Sequence, residues 1–403
     1  MRRLLLPLLV LPILADEPPS LPDPDEAAYP AIERFVEVLE QVRQRHPDVD
    51  KLAYDRLVNH ALEGVLASLD PHSSFIHPEM AAAMQAHPDL DPHVPSLGLT
   101  LGLRDDGPYV ANVLPGSAAA ELLPGSAILD IDSHPTADLE LPTLLARLAG
   151  EPGATVTLKL KSPAEPQPVD VTLTHRAVDQ RAVAESRLLD DKQTGYLRLS
   201  SFTDAAPREM EAALDEMEDA GMKRLVLDLR GNPGGSLPAT VRILGLFVPP
   251  DTEVVTTRGR QMEPEILSTP ERQRRERDYP IAVLIDRLSA SASELTAGAL
   301  QDLNRAVIVG ETSYGKGSVQ NIIPMGGGTA LRLTIATYHT PSGSTPHLTG
   351  VTPDVVVGIT DDIREKTSLS FRRASLTPEE SKIIEGWDDP VLQAALQSLP
   401  EKP

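Results

Sequence analysis

The sequence predicts a multidomain α/β protein: a helical N-terminal region, a small β-rich domain, and a larger α/β core built on a largely parallel, mixed sheet. Three observations carry this. Between Ala31 and Leu69, apolar residues recur at helical spacing. From Val94, short period-two runs alternate with Gly and Pro. Beyond Ala182, continuous apolar strands such as "RLVLDLR", "IAVLIDR" and "RAVIVG" alternate with helical stretches. That alternation is the pattern of parallel strands joined by crossover helices.

In order along the chain, Arg2 and Arg3 precede an apolar run from Leu4 to Leu14, and the small Ala15 follows. This is the layout of a secretory signal peptide over residues 1–15, so export is expected, and in a bacterium the periplasm. The run is short for a bilayer span, and Pro7 and Pro12 interrupt it. Residues 16–30 are acidic and Pro-rich and read as a disordered leader. The helical region covers 31–92, with one apolar set at Phe35, Val38 and Leu39 and another at Leu57, Ala61, Leu62, Val65 and Leu66. "SLDPHSSF" ends it in a turn. In the β-rich domain, 94–175, "LPTLLARLAG" reads as a helix stopped by Gly150, and "TVTLKLK" and "VDVTLTH" read as strands. The core, 182–360, opens with the strand "TGYLRLSSF" and the helix "AAPREMEAALDEMEDAGM". Residues 361–403 remain as a C-terminal extension.

Composition excludes several function classes. A net charge of −22 repels nucleic acid, and the Arg-rich "ERQRRERD" carries its own acids. With Cys 0, a thiol nucleophile, a Cys-based zinc site and an iron–sulfur cluster are all ruled out. The ten histidines show no metal-ligand spacing, so neither a metal nor another cofactor is expected.

The chemistry concentrates in "SASASELTAGALQDLNRAVIVGETSYGKGSVQ", Ser289 to Gln320. The helix begins within the serines, just after a strand. Ser291 and Glu294 fit the capping box S-x-x-E. Ser291 also fits a nucleophile at the end of a sheet strand, with helix N–H groups at hand for an oxyanion. A hydroxyl needs a base to become nucleophilic. Lys316 is a candidate because Gly315 and Gly317 let the backbone pack closely and aim a side chain inward. Desolvation disfavours an ammonium, so an inward-facing lysine can accept a proton near neutral pH. Gln320 could orient the amine without adding charge. "LDLRGNPGG", Leu227 to Gly235, is either a tight turn or a source of oxyanion donors.

Together, "SLDPHSSF", "LDLRGNPGG", "SASASELTAGALQD", "GETSYGKGSVQ", "YHTPSG" and "GVTPDV" resemble, in order and spacing, the carboxyl-terminal processing peptidases, or tail-specific proteases. The resemblance runs from about residue 31 to residue 358. It implies a serine endopeptidase with Ser291 as nucleophile, Lys316 as general base and Gln320 as its orienting partner. The backbone N–H groups of Gly235 and Ala292 would form the oxyanion hole. It also implies that residues 94–175 are a PDZ domain whose loop Ser96, Leu97, Gly98 and Leu99 holds a substrate's C-terminal carboxylate beside an apolar pocket. The partners implied are proteins or peptides with apolar C-termini, with an adaptor protein and a homo-oligomer as further options. Three positions depart from the family pattern: Pro233 in the Gly-rich turn, Ser126 where Asp is common, and Ser96 where the loop usually starts with Gly. Two rival readings are a catalytically silent PDZ scaffold and a Ser-His-Asp hydrolase using His72. The intact Ser291, Lys316 and Gln320 argue against the first, and the absence of a G-x-S-x-G elbow against the second.

Overall fold

This computed structural model describes residues 24–78, 81, 93–94, 96–104, 107–113, 117–119, 122–123, 125–136, 139, 141–162, 167–176, 181–260, 262–271, 275–371, 373, 376 and 378–400. The stretch expected to be a signal peptide and the first part of the expected leader lie outside them. Among the described residues no helix is long and apolar enough to cross a membrane. The chain divides into two compact units, meeting between Val65 and Leu66.

In the first unit, helix α1 spans Pro24–Arg45, so it starts inside the stretch expected to be leader. The reason is local: Pro is compatible with a first helical position. Helix α2, Tyr54–Ala67, begins here too. The Tyr54 hydroxyl donates to Glu40, and the Arg43 guanidinium lies 3.5 Å from the Tyr54 ring centroid.

The second unit holds three sheets. Strand β1, Ser74–Ile76, lies within the region expected to be helical. Strands β2 (His93–Val94), β3 (Leu99–Arg104), β4 (Gly107–Val113), β5 (Ala127–Ile131), β6 (His134–Pro135), β7 (Thr155–Lys161) and β8 (Val169–Thr174) form an antiparallel sheet, with helix α3 at Leu141–Leu148. It occupies the residues assigned by resemblance to the PDZ domain. Alternation does the packing: Val156, Leu158 and Leu160 of β7 are buried, while their neighbours reach solvent. Ser126 donates its hydroxyl to Leu123 O at 2.6 Å, so the residue that departs from the family pattern closes its own turn.

The central sheet runs β18-β15-β14-β11-β10-β9, from β9 (Val183–Leu188), β10 (Thr194–Leu199), β11 (Arg224–Asp228), β14 (Ile281–Ile285), β15 (Val307–Gly310) and β18 (Val355–Val356). All neighbours are parallel except β9 with β10. Both faces are covered, which explains the unbroken apolar runs. Leu197, Leu225, Leu227 and Val283 share one core with helices α4 (Ala206–Asp219), α5 (Leu237–Leu244) and α6 (Ala292–Asp302). Tyr196, Val226, Ala282, Leu284 and Val309 face the other way.

Strands β12 (Glu253–Gly259), β13 (Met262–Ser268), β16 (Ser318–Pro324) and β17 (Ala330–His339) form the third sheet, and β1 pairs with β17. Residues 361–403 are more than an extension. After α7 (Asp361–Phe371) and α8 (Pro378–Ile383), helix α9 (Pro390–Ser398) and the residue after it bury Val391, Ala395 and Leu399 against the second face of the central sheet. Without α9 that apolar face would meet water.

Candidate active site

The site forms beyond the C-terminal ends of β11 and β14, where parallel sheets leave loops free to diverge. After β14 the chain turns through Ser289, Ala290 and Ser291 into α6. The three serines have different duties. Ser289 is fully buried; its hydroxyl donates to Leu229 O at 2.9 Å and accepts from Asp286 N. Ser293 is also fully buried, and its hydroxyl donates to Asn232 O at 2.9 Å, tying the helix to the Gly-rich turn. Ser291 is half-buried, and its backbone sits at φ 55°, ψ −113°. Its hydroxyl faces the helix as in a capping box without closing a cap hydrogen bond. A serine in a left-handed, strained conformation, with two serines beside it holding the turn, is a hydroxyl kept for another use.

The Gly-rich turn lies directly against it. A Cβ on Gly234 would come within 2.8 Å of Ala292 N and 2.9 Å of the Ser291 Cβ. The Asn232 side chain holds this turn, accepting from Gly234 N at 2.9 Å and donating to Leu199 O at 2.8 Å. Phe202 spans Gly235, donating its N–H to Gly234 O and accepting from Ser236 N. Among the described residues, the N–H groups of Gly235 and Ala292 have no hydrogen-bond partner.

Lys316 is half-buried between its two glycines, and the segment 345–350 packs on both. A Cβ on Gly317 would meet His347 N at 2.4 Å, and one on Gly315 would meet Leu348 C at 3.3 Å. Glu294 joins the two loops. This wholly buried carboxylate accepts from Ser291 N at 2.8 Å, Lys316 N at 2.8 Å, Gly315 N at 2.7 Å and the Ser313 hydroxyl at 2.6 Å. Sequence reasoning reads Glu294 only as half of a capping box. Its long-range partners are invisible in a local motif.

Gln320 corrects the sequence reading. Its amide donates to the Ser318 hydroxyl at 2.7 Å and to the Thr334 hydroxyl at 3.3 Å, not to Lys316. Ser318 lies on its own strand, β16, and Thr334 opposite it on β17, and the two hydroxyls satisfy it locally. His72 comes from the "DPHSS" turn, where the Asp70 carboxylate accepts from His72 N and Ser73 N. Its ring centroid is 6.4 Å from that of Tyr314 and 6.3 Å from that of His347. Burial, then the nearby Lys316 charge, holds its pKa below the ordinary imidazole value, and Asp70 opposes this. Among the described residues its buried Nε2 has no hydrogen-bond partner.

Beneath the Gly-rich turn lies a buried ion cluster. Burial alone would raise the Asp228 carboxyl, but Arg230 and its hydrogen bonds hold it below its usual range. Arg230 also pairs at 2.7 Å with Asp389, which caps α9 through Val391 N.

The expected carboxylate-binding loop differs from expectation. Leu97 and Leu99 have no exposed surface and belong to the core of the β-rich domain, so they are not a pocket wall here. The N–H groups of Leu97 and Gly98 both donate to Val94 O, at 3.1 and 2.9 Å. Ser96 places its hydroxyl 2.8 Å from His175 Nδ1.

Comparison with known proteins decides the family. The model of "Peptidase family S41" matches residues 193–357. A carboxy-terminal-processing protease of Bartonella bacilliformis is 35% identical over 83% of this chain and 76% of its own length. The chain belongs to peptidase family S41. A carboxyl-terminal-processing protease of Synechocystis sp. is also 35% identical, over 74% of this chain and 70% of its own. Among solved structures, a photosystem II D1 C-terminal processing protease superposes with a TM-score of 0.55 at 27% identity, covering 80% of this chain and 92% of that one. This S41 peptidase is therefore a serine-type peptidase, and its relatives are carboxyl-terminal processing proteases.

Proposed function

We propose that this S41 peptidase is an exported endopeptidase that cleaves near apolar C-termini through a Ser–Lys acyl-enzyme mechanism. Lys316 Nζ takes the proton of Ser291 Oγ as the oxygen attacks the scissile carbonyl carbon. The oxyanion that forms accepts from the N–H groups of Gly235 and Ala292. Lys316 then returns the proton to the departing amine, and water, deprotonated in the same way, frees the acyl group. The observation that carries this reading is the pair of idle N–H groups beside a strained serine. Glu294 fixes the backbone of nucleophile and base to each other. Residues 94–175 are the tail-reading module, and the apolar run at the N-terminus supports export.

The test is Ser291→Ala and Lys316→Ala, singly and together, assayed on a peptide with an apolar C-terminus. Each single variant should lose about 10⁴-fold or more in kcat/KM, and the double variant should be no worse, because nucleophile and base act as a unit. Substantial turnover by Lys316→Ala would remove lysine as the base. The unpartnered Nε2 of His72 favours a second reading, a Ser–His pair. His72→Gln separates the two: near-normal kcat/KM leaves lysine as the base, and a loss matching that of Ser291→Ala makes it the imidazole.

A further inference from the structure

Leu348 holds a conformation that is unusual for its side chain. Its backbone sits at φ 62°, a left-handed conformation that an aliphatic residue adopts at a cost and that Gly or Asn adopts readily. Burial does not repay the cost, because the residue is 62% exposed. Its position is fixed by the site: Leu348 N donates to Gly315 O at 2.8 Å, one residue before Lys316. Two more large apolar side chains stand exposed beside the reacting residues in the sequence. Tyr314, two positions before Lys316, donates its N–H to Ser289 O, and Leu288 lies three positions before Ser291. Strain concentrated beside reacting groups is a mark of function. We infer that Leu348, with Tyr314 and Leu288, forms an apolar rim that binds an apolar side chain of the peptide substrate next to the scissile bond, and that Leu348 determines this specificity.

The inference rests on Ser291 and Lys316 being the reacting pair, and it makes opposite demands on stability and selectivity. Leu348→Asn removes the strain, so its melting temperature should rise by about 2 °C. The same change should lower, by about tenfold, the ratio of kcat/KM for a peptide with Leu beside the cleaved bond to that for one with Ser there. Leu348→Met keeps an apolar side chain and should keep the ratio. An unchanged ratio in Leu348→Asn overturns the inference. So does a fall in its melting temperature, which would mean that Leu348 packs against the protein itself. Retained cleavage by Ser291→Ala would instead overturn the catalytic reading beneath it.

Discussion

Two glycine-containing loops in this chain were each expected to offer backbone N–H groups to an anion, and they differ in one respect. In the Gly-rich turn of the core, the turn's own Asn232 shares the hydrogen bonding with neighbours from outside it. Asn232, Ser293 and Phe202 hold it, and the N–H groups of Gly235 and Ala292 stay idle. In the loop of the β-rich domain, the turn closes on itself, and Val94 O takes the N–H groups of Leu97 and Gly98. An anion hole requires donors that the fold has declined to use. Keeping them idle takes other partners for the rest of the turn: the Asn232 amide within it, the Ser293 hydroxyl and the Phe202 backbone.

The largest expected effect breaks the scaffold that keeps the core loop open. Glu294→Ala would strand three buried N–H groups, at about 1–3 kcal/mol each. It should lower the melting temperature sharply and cut kcat/KM about 10³-fold, with the active fraction titrated to separate the two losses. Gly234→Ala tests the loop directly. At φ 103° and with Ala292 N 2.8 Å from the added carbon, the loop must shift. The expected loss is about 10²–10³-fold in kcat, the scale of one oxyanion donor. Little change in kcat would mean that the idle N–H groups do not meet the oxyanion.

Asp389→Asn should have a smaller effect. It removes one of two carboxylates on the buried Arg230 guanidinium, while Asp228 remains. About 1–3 kcal/mol of stability should be lost, the scale of a hydrogen bond to a charged group. Because Arg230 adjoins the Gly-rich turn, kcat should fall about tenfold at unchanged KM, and Asp389→Glu should restore part of it. Equal kcat would confine Asp389 to capping α9.

The parallel strands are legible in the sequence because burial on both faces leaves unbroken apolar runs. The turns that carry Ser291 and Lys316 are legible because a helix start and paired glycines impose local constraints. Glu294 is not, since its partners Ser313, Gly315 and Lys316 arrive from beyond the helix. Nor are Leu97 and Leu99, because a strand pattern shows alternation but not which face meets the core. The cover that α9 gives the central sheet is hidden for the same reason: Val391, Ala395 and Leu399 reveal an apolar stripe without its target.

A pH effect follows from His72. The folded state holds the ring neutral to lower pH than a free imidazole. Below about pH 6.5, the unfolded chain therefore binds a proton that the folded one refuses. The stability this group contributes is present above that range and is lost as pH falls through it toward the folded pKa. His72→Gln should flatten the melting temperature between about pH 7 and 5 relative to the parent. An unchanged slope would mean that other groups set the acid limb.

The smallest expected effect concerns the loop that closes on itself. If residues 94–175 read tails, a free carboxylate must compete with Val94 O for Leu97 N and Gly98 N. Exchanging one acceptor for another gains little, so the preference for a free over an amidated C-terminus should be only about two- to fivefold in kcat/KM, since a net hydrogen bond is worth about 1 kcal/mol. Gly98→Ala, at φ 67°, strains the turn. It should shift this ratio while leaving cleavage of amidated peptide intact, in contrast to Gly234→Ala, which should slow both. A preference of a hundredfold or more would show that the loop opens fully for substrate, and the contrast between the two loops would then hold only for the unliganded protein. Equal rates for free and amidated peptide, in parent and variant alike, would mean that this domain does not read the terminal carboxylate. Selection near the cut would then fall to the rim around Leu348.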